Sequence, residues 1–157
     1  MTREKLVDLY SAFFKAEGIK YNFDIEILIQ PLYGFVWYDG LVYIITVDPR
    51  FFFNGMFFEM YTEGPDFEIC ERTEYWEGDP ELQGKIESIA NKVNEKYKIG
   101  KVIPETAIKY MVKIELQSPE QLKDFFYEAV HELKAIESDF LDELKKIGVN
   151  FQQPNAD

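Results

Sequence analysis

AIKYMVKIELQSPEQL, residues 107–122, decides the fold. Its first part alternates. Ile108, Tyr110, Val112, Ile114 and Leu116 fall on one side, and Lys109, Met111, Lys113, Glu115 and Gln117 on the other. A period of two is that of a β-strand with one buried face and one wet face. Ser118-Pro119-Glu120-Gln121 then reads as a helix start, with Ser118 as N-cap, Pro119 at the first helical position and Gln121 closing a capping box. Leu122, Phe126, Ala129, Leu133, Ile136, Phe140 and Leu144 follow at three- and four-residue spacing. This helix is expected to reach Gly148, with Lys145 and Lys146 in its last turn.

Working outward, Gly78-Asp79-Pro80 opens a middle helix with the stripe Leu82, Ile86, Ile89, Ala90, Val93 and Tyr97, and Gly100 ends it. Lys101–Ile103 begins a short strand, and Pro104-Glu105-Thr106 turns the chain. Upstream, Asp39-Gly40 separates the runs Tyr33–Tyr38 and Leu41–Val47. An Asp-Gly pair between hydrophobic runs is a hairpin signal, because both turn residues need positive φ. Leu41–Val47 is apolar on both faces, which predicts a central strand. Residues 23–30 alternate as a strand that Pro31 stops, and Met56–Thr62 is another, followed by a turn at Gly64-Pro65-Asp66. Residues 67–76 read as an edge strand or an extended loop. Residues 3–17 form the first helix, with Leu6, Leu9, Tyr10, Phe13 and Phe14 on one face and Gly18 as its C-cap.

Helices at the start, middle and end, with hairpin-joined strands between them, make an α+β fold on an antiparallel sheet. One domain is expected over residues 1–148, with a disordered tail over 149–157. The length, 157 residues, is that of one domain, and 46% hydrophobic residues support a core without metals or disulfides. A single cysteine, Cys70, allows no internal disulfide and points to a reducing compartment. The N-terminus lacks the apolar core of a signal peptide, and the uncharged run 27–38 is too short to span a bilayer. A cytoplasmic location is the expectation.

The net charge of -12 argues against nucleic acid and against anionic membranes, both of which are bound through clustered cations. Aromatic residues make up 17% of the chain and come in runs such as Phe51-Phe52-Phe53. Neighbours on a strand point to opposite faces, so such runs leave rings outside a one-sided core, where a dimer or partner interface would cover them.

No catalytic signature emerges. His131 follows Glu128 by three residues, but a di-iron site needs two such motifs and further carboxylates. At about 100° per residue, His131 lies roughly 200° from Ala129, the centre of the buried stripe, and faces solvent. Cys70 has no histidine beside it in sequence to activate it. Glu137, Asp139, Asp142 and Glu143 read as a solvated outer face of the last helix. The glycines form no phosphate-binding fingerprint. No catalytic residue, metal or cofactor is therefore expected. Asn94 lies beside the stripe of the middle helix and, being polar there, must be hydrogen-bonded, pinning the helix to a strand end or loop.

The residues Asn91 to Asn94, then Tyr97 to Val102, the alternating strand Ile108–Leu116 and the long capped helix resemble the YbjN-like family. These bacterial proteins are described as sensory-transduction regulators and share the fold of type III secretion chaperones. The hairpin at Asp39-Gly40 is similar to that family's first half. The resemblance covers roughly residues 3–147. It implies the order α-β-β-β-α-β-β-α, no enzymatic activity, and, by way of the chaperones, an acidic homodimer that holds extended client segments.

Two functional expectations follow. The first is a non-enzymatic protein- or peptide-binding module, chaperone-like or regulatory and a possible homodimer. Its contact surface is the wet side of the 107–117 strand: Lys109, Met111, Lys113 and Glu115. Lysine stems and a methionine suit an adaptable contact, although the same lysines also serve simply to keep an exposed strand soluble. The second is an acidic inhibitor or immunity-type protein that neutralises a basic enzyme.

Overall fold

The computed structural model describes residues 3–23, 33–47, 56–66, 80–104 and 107–149, with 56–66 described by its backbone. Helix α1 spans Arg3–Glu17, followed by strands β1 (Lys20–Asn22), β2 (Tyr33–Tyr38), β3 (Leu41–Thr46) and β4 (Met56–Asp66). Helix α2 is Pro80–Asn94, strands β5 and β6 are Gly100–Pro104 and Ala107–Leu116, and helix α3 is Leu122–Lys146. The fold is α+β, and hydrogen bonds link the strands in the order β1-β2-β3-β4-β6-β5. The short β1 leads the strands between the first two helices. Lys20-Tyr21-Asn22 lacks the apolar alternation that would announce a strand; it forms one by pairing antiparallel with β2. The strand expected over 23–30 falls, beyond Phe23, outside the described residues, as do the segment 67–76, Glu105-Thr106 and the tail from 150.

By internal contacts the chain divides into two compact units, Met1–Thr62 with Val112–Ala129, and Glu63–Met111 with Val130–Asp157. In the first, Leu6, Tyr10 and Phe14 of α1 are buried, as are Val36, Tyr43 and Ile45 of the β2–β3 hairpin. Leu122, Phe126 and Ala129 of α3 are buried too. Phe126 makes edge contacts with Phe14 and Tyr38 at 5.1 and 5.6 Å between centroids. The hairpin turns as its sequence requires, with φ of 50° at Asp39 and 78° at Gly40.

In the second unit, Ile86, Ala90 and Val93 of α2, Val102 of β5, and Ile108 and Tyr110 of β6 are buried. Leu133, Ile136, Phe140 and Leu144 of α3 complete that core, with Tyr110 edge-on to Phe140 at 6.5 Å. The apolar stripe of α3 is buried at every position the spacing marks, and His131 is exposed.

Helix ends show local chemistry at work. Both α1 and α3 finish in the same motif. Gly18 and Gly148 take φ of 70° and 80°. Ile19 then donates to the Phe14 carbonyl at 2.9 Å, and Val149 donates to the Leu144 carbonyl at 3.0 Å. Ile19 and Val149 are themselves buried, so each seals its helix end with an apolar side chain.

Four local expectations need correction. The capping box before α3 does not close: Ser118 is extended but its side chain makes no cap bond, and residues Pro119–Gln121 form a 3-10 turn. Gln121 Oε1 reaches back instead to the N–H of Gln117 at 2.8 Å. Helix α3 ends at Lys146, just short of the glycine. Helix α2 stops at Asn94, ahead of Tyr97 and Gly100, because its last bonds tighten: Lys96 donates to Val93 and Tyr97 to Asn94. Finally, β4 continues through Gly64-Pro65-Asp66, since the φ of proline suits extended backbone and its absence of an N–H removes only one ladder donor.

Candidate functional site

Successive residues on a strand point to opposite faces, so the register of β1, β2 and β3 sorts their side chains. Lys20 pairs with Trp37 and Asn22 with Phe35, while Phe35 and Trp37 pair on the other side with Ile44 and Val42. These residues share one face. Tyr21, Gly34, Val36, Tyr43 and Ile45 share the other, where Val36, Tyr43 and Ile45 are fully buried. Gly34 leaves room there for an aromatic ring, since a Cβ on it would lie 1.6 Å from Cδ1 of Phe23.

The first face is different in character. Phe35, Trp37 and Ile44 are only half-buried, and Val42 keeps 42% of its surface exposed. Phe35 and Trp37 lie 6.3 Å apart between ring centroids. Lys20 Nζ sits 4.6 Å from the centroid of the Trp37 ring, a cation–π contact. At an exposed site such a contact is worth about 0.5–1 kcal/mol, enough to favour one orientation of the indole. The result is a strip of rings and β-branched side chains, with one cation, on an otherwise acidic chain. A strip of this kind offers contact area to an extended apolar segment.

The residues expected to form the contact surface lie on β6. Lys109 and Met111, in the second unit, are half-buried, and Lys113 and Glu115, in the first, are exposed. Both lysines are engaged in interactions of their own. Ile108, Tyr110, Val112 and Leu116 are buried on the opposite side of the strand. Sequence reasoning misses the β2–β3 face, although its signal is present: the aromatics Tyr33, Phe35 and Trp37 fall at alternate positions. The charges of β6 mark a wet face more visibly than half-exposed rings do.

Several polar side chains of the second unit hold residues 94–102. Asn94 Nδ2 donates to the carbonyl of Val102 at 3.0 Å, and the Val102 N–H donates to Asn94 Oδ1 at 2.7 Å. Asn94 thus pins α2 to a strand, as its place beside the stripe requires. Glu132 Oε1 accepts from the N–H groups of Ile99 and Gly100 at 2.8 and 2.9 Å. The hydroxyl of Tyr97 donates to Asp139. Burial, with that hydrogen bond, pushes the Tyr97 phenol up to about 12.

Glu143 meets Lys92 at 3.7 Å and Lys146 at 2.8 Å, and the Lys146 hydrogen bond lowers its pKa. Burial raises the pKa of Glu137. Of the four carboxylates read as a solvated run, only Asp142 is exposed. The others flank the buried stripe, where they meet neighbouring elements.

In the first unit, Tyr127 donates to Glu17 Oε1 at 2.8 Å, and Lys123 lies 3.7 Å from the same oxygen. Burial and that bond push the Tyr127 phenol up to about 12. These contacts tie α3 to the end of α1. Among the described residues, no group of three or more His, Cys, Asp and Glu is placed to hold a metal ion. No helix among them is long and apolar enough to cross a membrane. No family model matches the chain, and no curated protein or solved structure shows significant similarity to it. The functional reading therefore rests on geometry.

Proposed function

We propose that this chain is a non-enzymatic protein- or peptide-binding module, chaperone-like or regulatory, that holds an extended segment of a partner protein. The observation that carries the reading is the half-exposed strip of Phe35, Trp37, Val42 and Ile44 on one face of a hairpin whose other face is sealed. Rings are rigid and bring large contact area at low entropic cost, and an extended peptide presents alternate side chains to such a strip. The net charge of -12 favours a segment flanked by lysine or arginine. A kinship with YbjN-like proteins and type III secretion chaperones fits this reading, as do a homodimeric, cytoplasmic protein and the lack of affinity for nucleic acid or membranes that the charge implies. The strip Lys109, Met111, Lys113 and Glu115 is the alternative contact surface.

The test is an NMR titration of the labelled protein with an extended peptide in which apolar residues alternate with lysines. The Trp37 indole and the amides of Val42 and Ile44 are expected to shift, and Phe35→Ser with Trp37→Ser to abolish the shifts. Shifts confined to β6 would move the site there. Absence of shifts at either surface would end the reading.

The acidity also favours a second reading, an inhibitor or immunity-type protein that neutralises a basic enzyme. It requires affinity that falls steeply with salt, and salt-independent binding counts against it.

A further inference from the structure

Strand β5 stands at the end of the strand order, so among the described residues no strand neighbours its other side. An exposed strand edge presents unpaired N–H and C=O groups and is a template for another chain. The N–H and C=O of one strand residue point to the same side, and residues two apart share that side. Asn94 takes both groups of Val102, which places them on the side away from β6. Gly100 and Pro104 share that side. The Gly100 N–H is bound by Glu132, and Pro104 has no N–H to offer. Every outward donor of β5 is thus either occupied by a side chain or missing.

The Asn94 amide does more than fix α2. It presents one donor and one acceptor to Val102 at 3.0 and 2.7 Å, as a paired residue of a neighbouring strand does. Lys101 Nζ braces it from the chain side, donating to the Asn94 and Tyr97 carbonyls at 3.0 and 3.3 Å. We propose that the C-terminal end of α2 is an edge lock: Asn94 substitutes for a missing strand and keeps β5 from pairing with a second copy of this chain.

A second copy is the occupant the geometry selects. Antiparallel pairing of two identical edges about a two-fold axis through Val102 sets Val102 opposite Val102, where each offers both a donor and an acceptor. It also sets Gly100 opposite Pro104, so the Gly100 N–H meets the proline carbonyl and only the Gly100 carbonyl is left without a partner.

The experiment compares the full chain with Asn94→Ala, following hydrogen exchange at the Val102 amide and mass by sedimentation across protein concentration. At low concentration, Val102 is expected to exchange about tenfold faster or more in the variant, since two hydrogen bonds are removed. As concentration rises, the variant doubles its mass relative to the unaltered chain and Val102 regains protection. Glu132→Ala added to it frees Gly100 and strengthens the association. Asn94→Asp, which keeps the acceptor and loses the donor, is the second variant in case the alanine form does not fold, and it follows the same course more weakly. A folded variant whose Val102 amide stays protected, or whose mass matches the unaltered chain at every concentration, overturns the proposal.

Discussion

Gly34→Ala puts the packing of the first unit to a sharp test. The new Cβ would lie 1.6 Å from Cδ1 and 2.0 Å from Cε1 of Phe23, whereas carbon atoms rest at about 3.5–4.0 Å. The ring must therefore move by roughly 2 Å. Phe23 is 2% exposed and packs at 5.7 to 6.1 Å from Tyr21, Tyr10 and Phe14. Two responses are open. Keeping the ring inside overpacks the core, at about 1–3 kcal/mol. Ejecting it forfeits about 1.5–3 kcal/mol of burial, with up to ~1 kcal/mol more for each ring–ring pairing it breaks.

The cheaper route sets the cost, so destabilisation of about 2–3 kcal/mol is expected. In urea this lowers the unfolding midpoint by roughly 1 M or more. Because the penalty belongs to the pair, Phe23→Leu in the same chain should recover much of it in a double-mutant cycle. A Gly34→Ala protein within about 0.5 kcal/mol of the parent would refute the packing described here.

The same substitution elsewhere has other consequences. Gly84→Ala, in the exposed interior of α2 with nothing near the added Cβ, is expected to stabilise by about 0.5–1 kcal/mol. Gly18→Ala, at φ of 70°, should cost about 1 kcal/mol, and thermal melts of both read the opposite signs. Glu132→Ala removes the acceptor for the Ile99 and Gly100 N–H groups and is expected to destabilise by about 2–3 kcal/mol, with faster amide exchange at those two residues first. The Tyr97 and Tyr127 phenols are raised from about 10 to about 12 on folding, so the stability they contribute is complete below pH ~10 and is lost as pH climbs toward ~12. Tyr127→Phe should flatten part of that alkaline loss in denaturation curves taken across that range, and an unchanged slope would speak against the Glu17 contact.

How far the chain was legible follows from where its information lies. The stripe of α3, the Asp39-Gly40 turn and the glycine C-cap of α1 depend on residues a few positions apart, and each was readable from spacing. The partial burial of Glu137, Asp139 and Glu143 was not. At about 100° per residue, Asp139 lies roughly 80° from Ala129, on the flank of the stripe, and whether a flank is wet depends on what another element brings beside it. Asn94 was half-legible: its position demanded a partner, but not that Val102 would supply both bonds. The fit of Phe23 over Gly34 and of Lys20 over Trp37 joins residues whose proximity only strand pairing creates. The functional face was hidden for the same reason, since alternating aromatics on β2 look like core until the structure shows which side of the hairpin is sealed.

The most direct test of the central claim is photo-crosslinking from within that face. A photoreactive phenylalanine at position 35, with Lys85 on the exposed side of α2 replaced in a control, should trap the partner in bacterial cells. One discrete adduct is expected from position 35, disappearing when Trp37 is changed to Ser, and none from position 85. Equal adducts from both positions, or an adduct indifferent to Trp37, would contradict the claim.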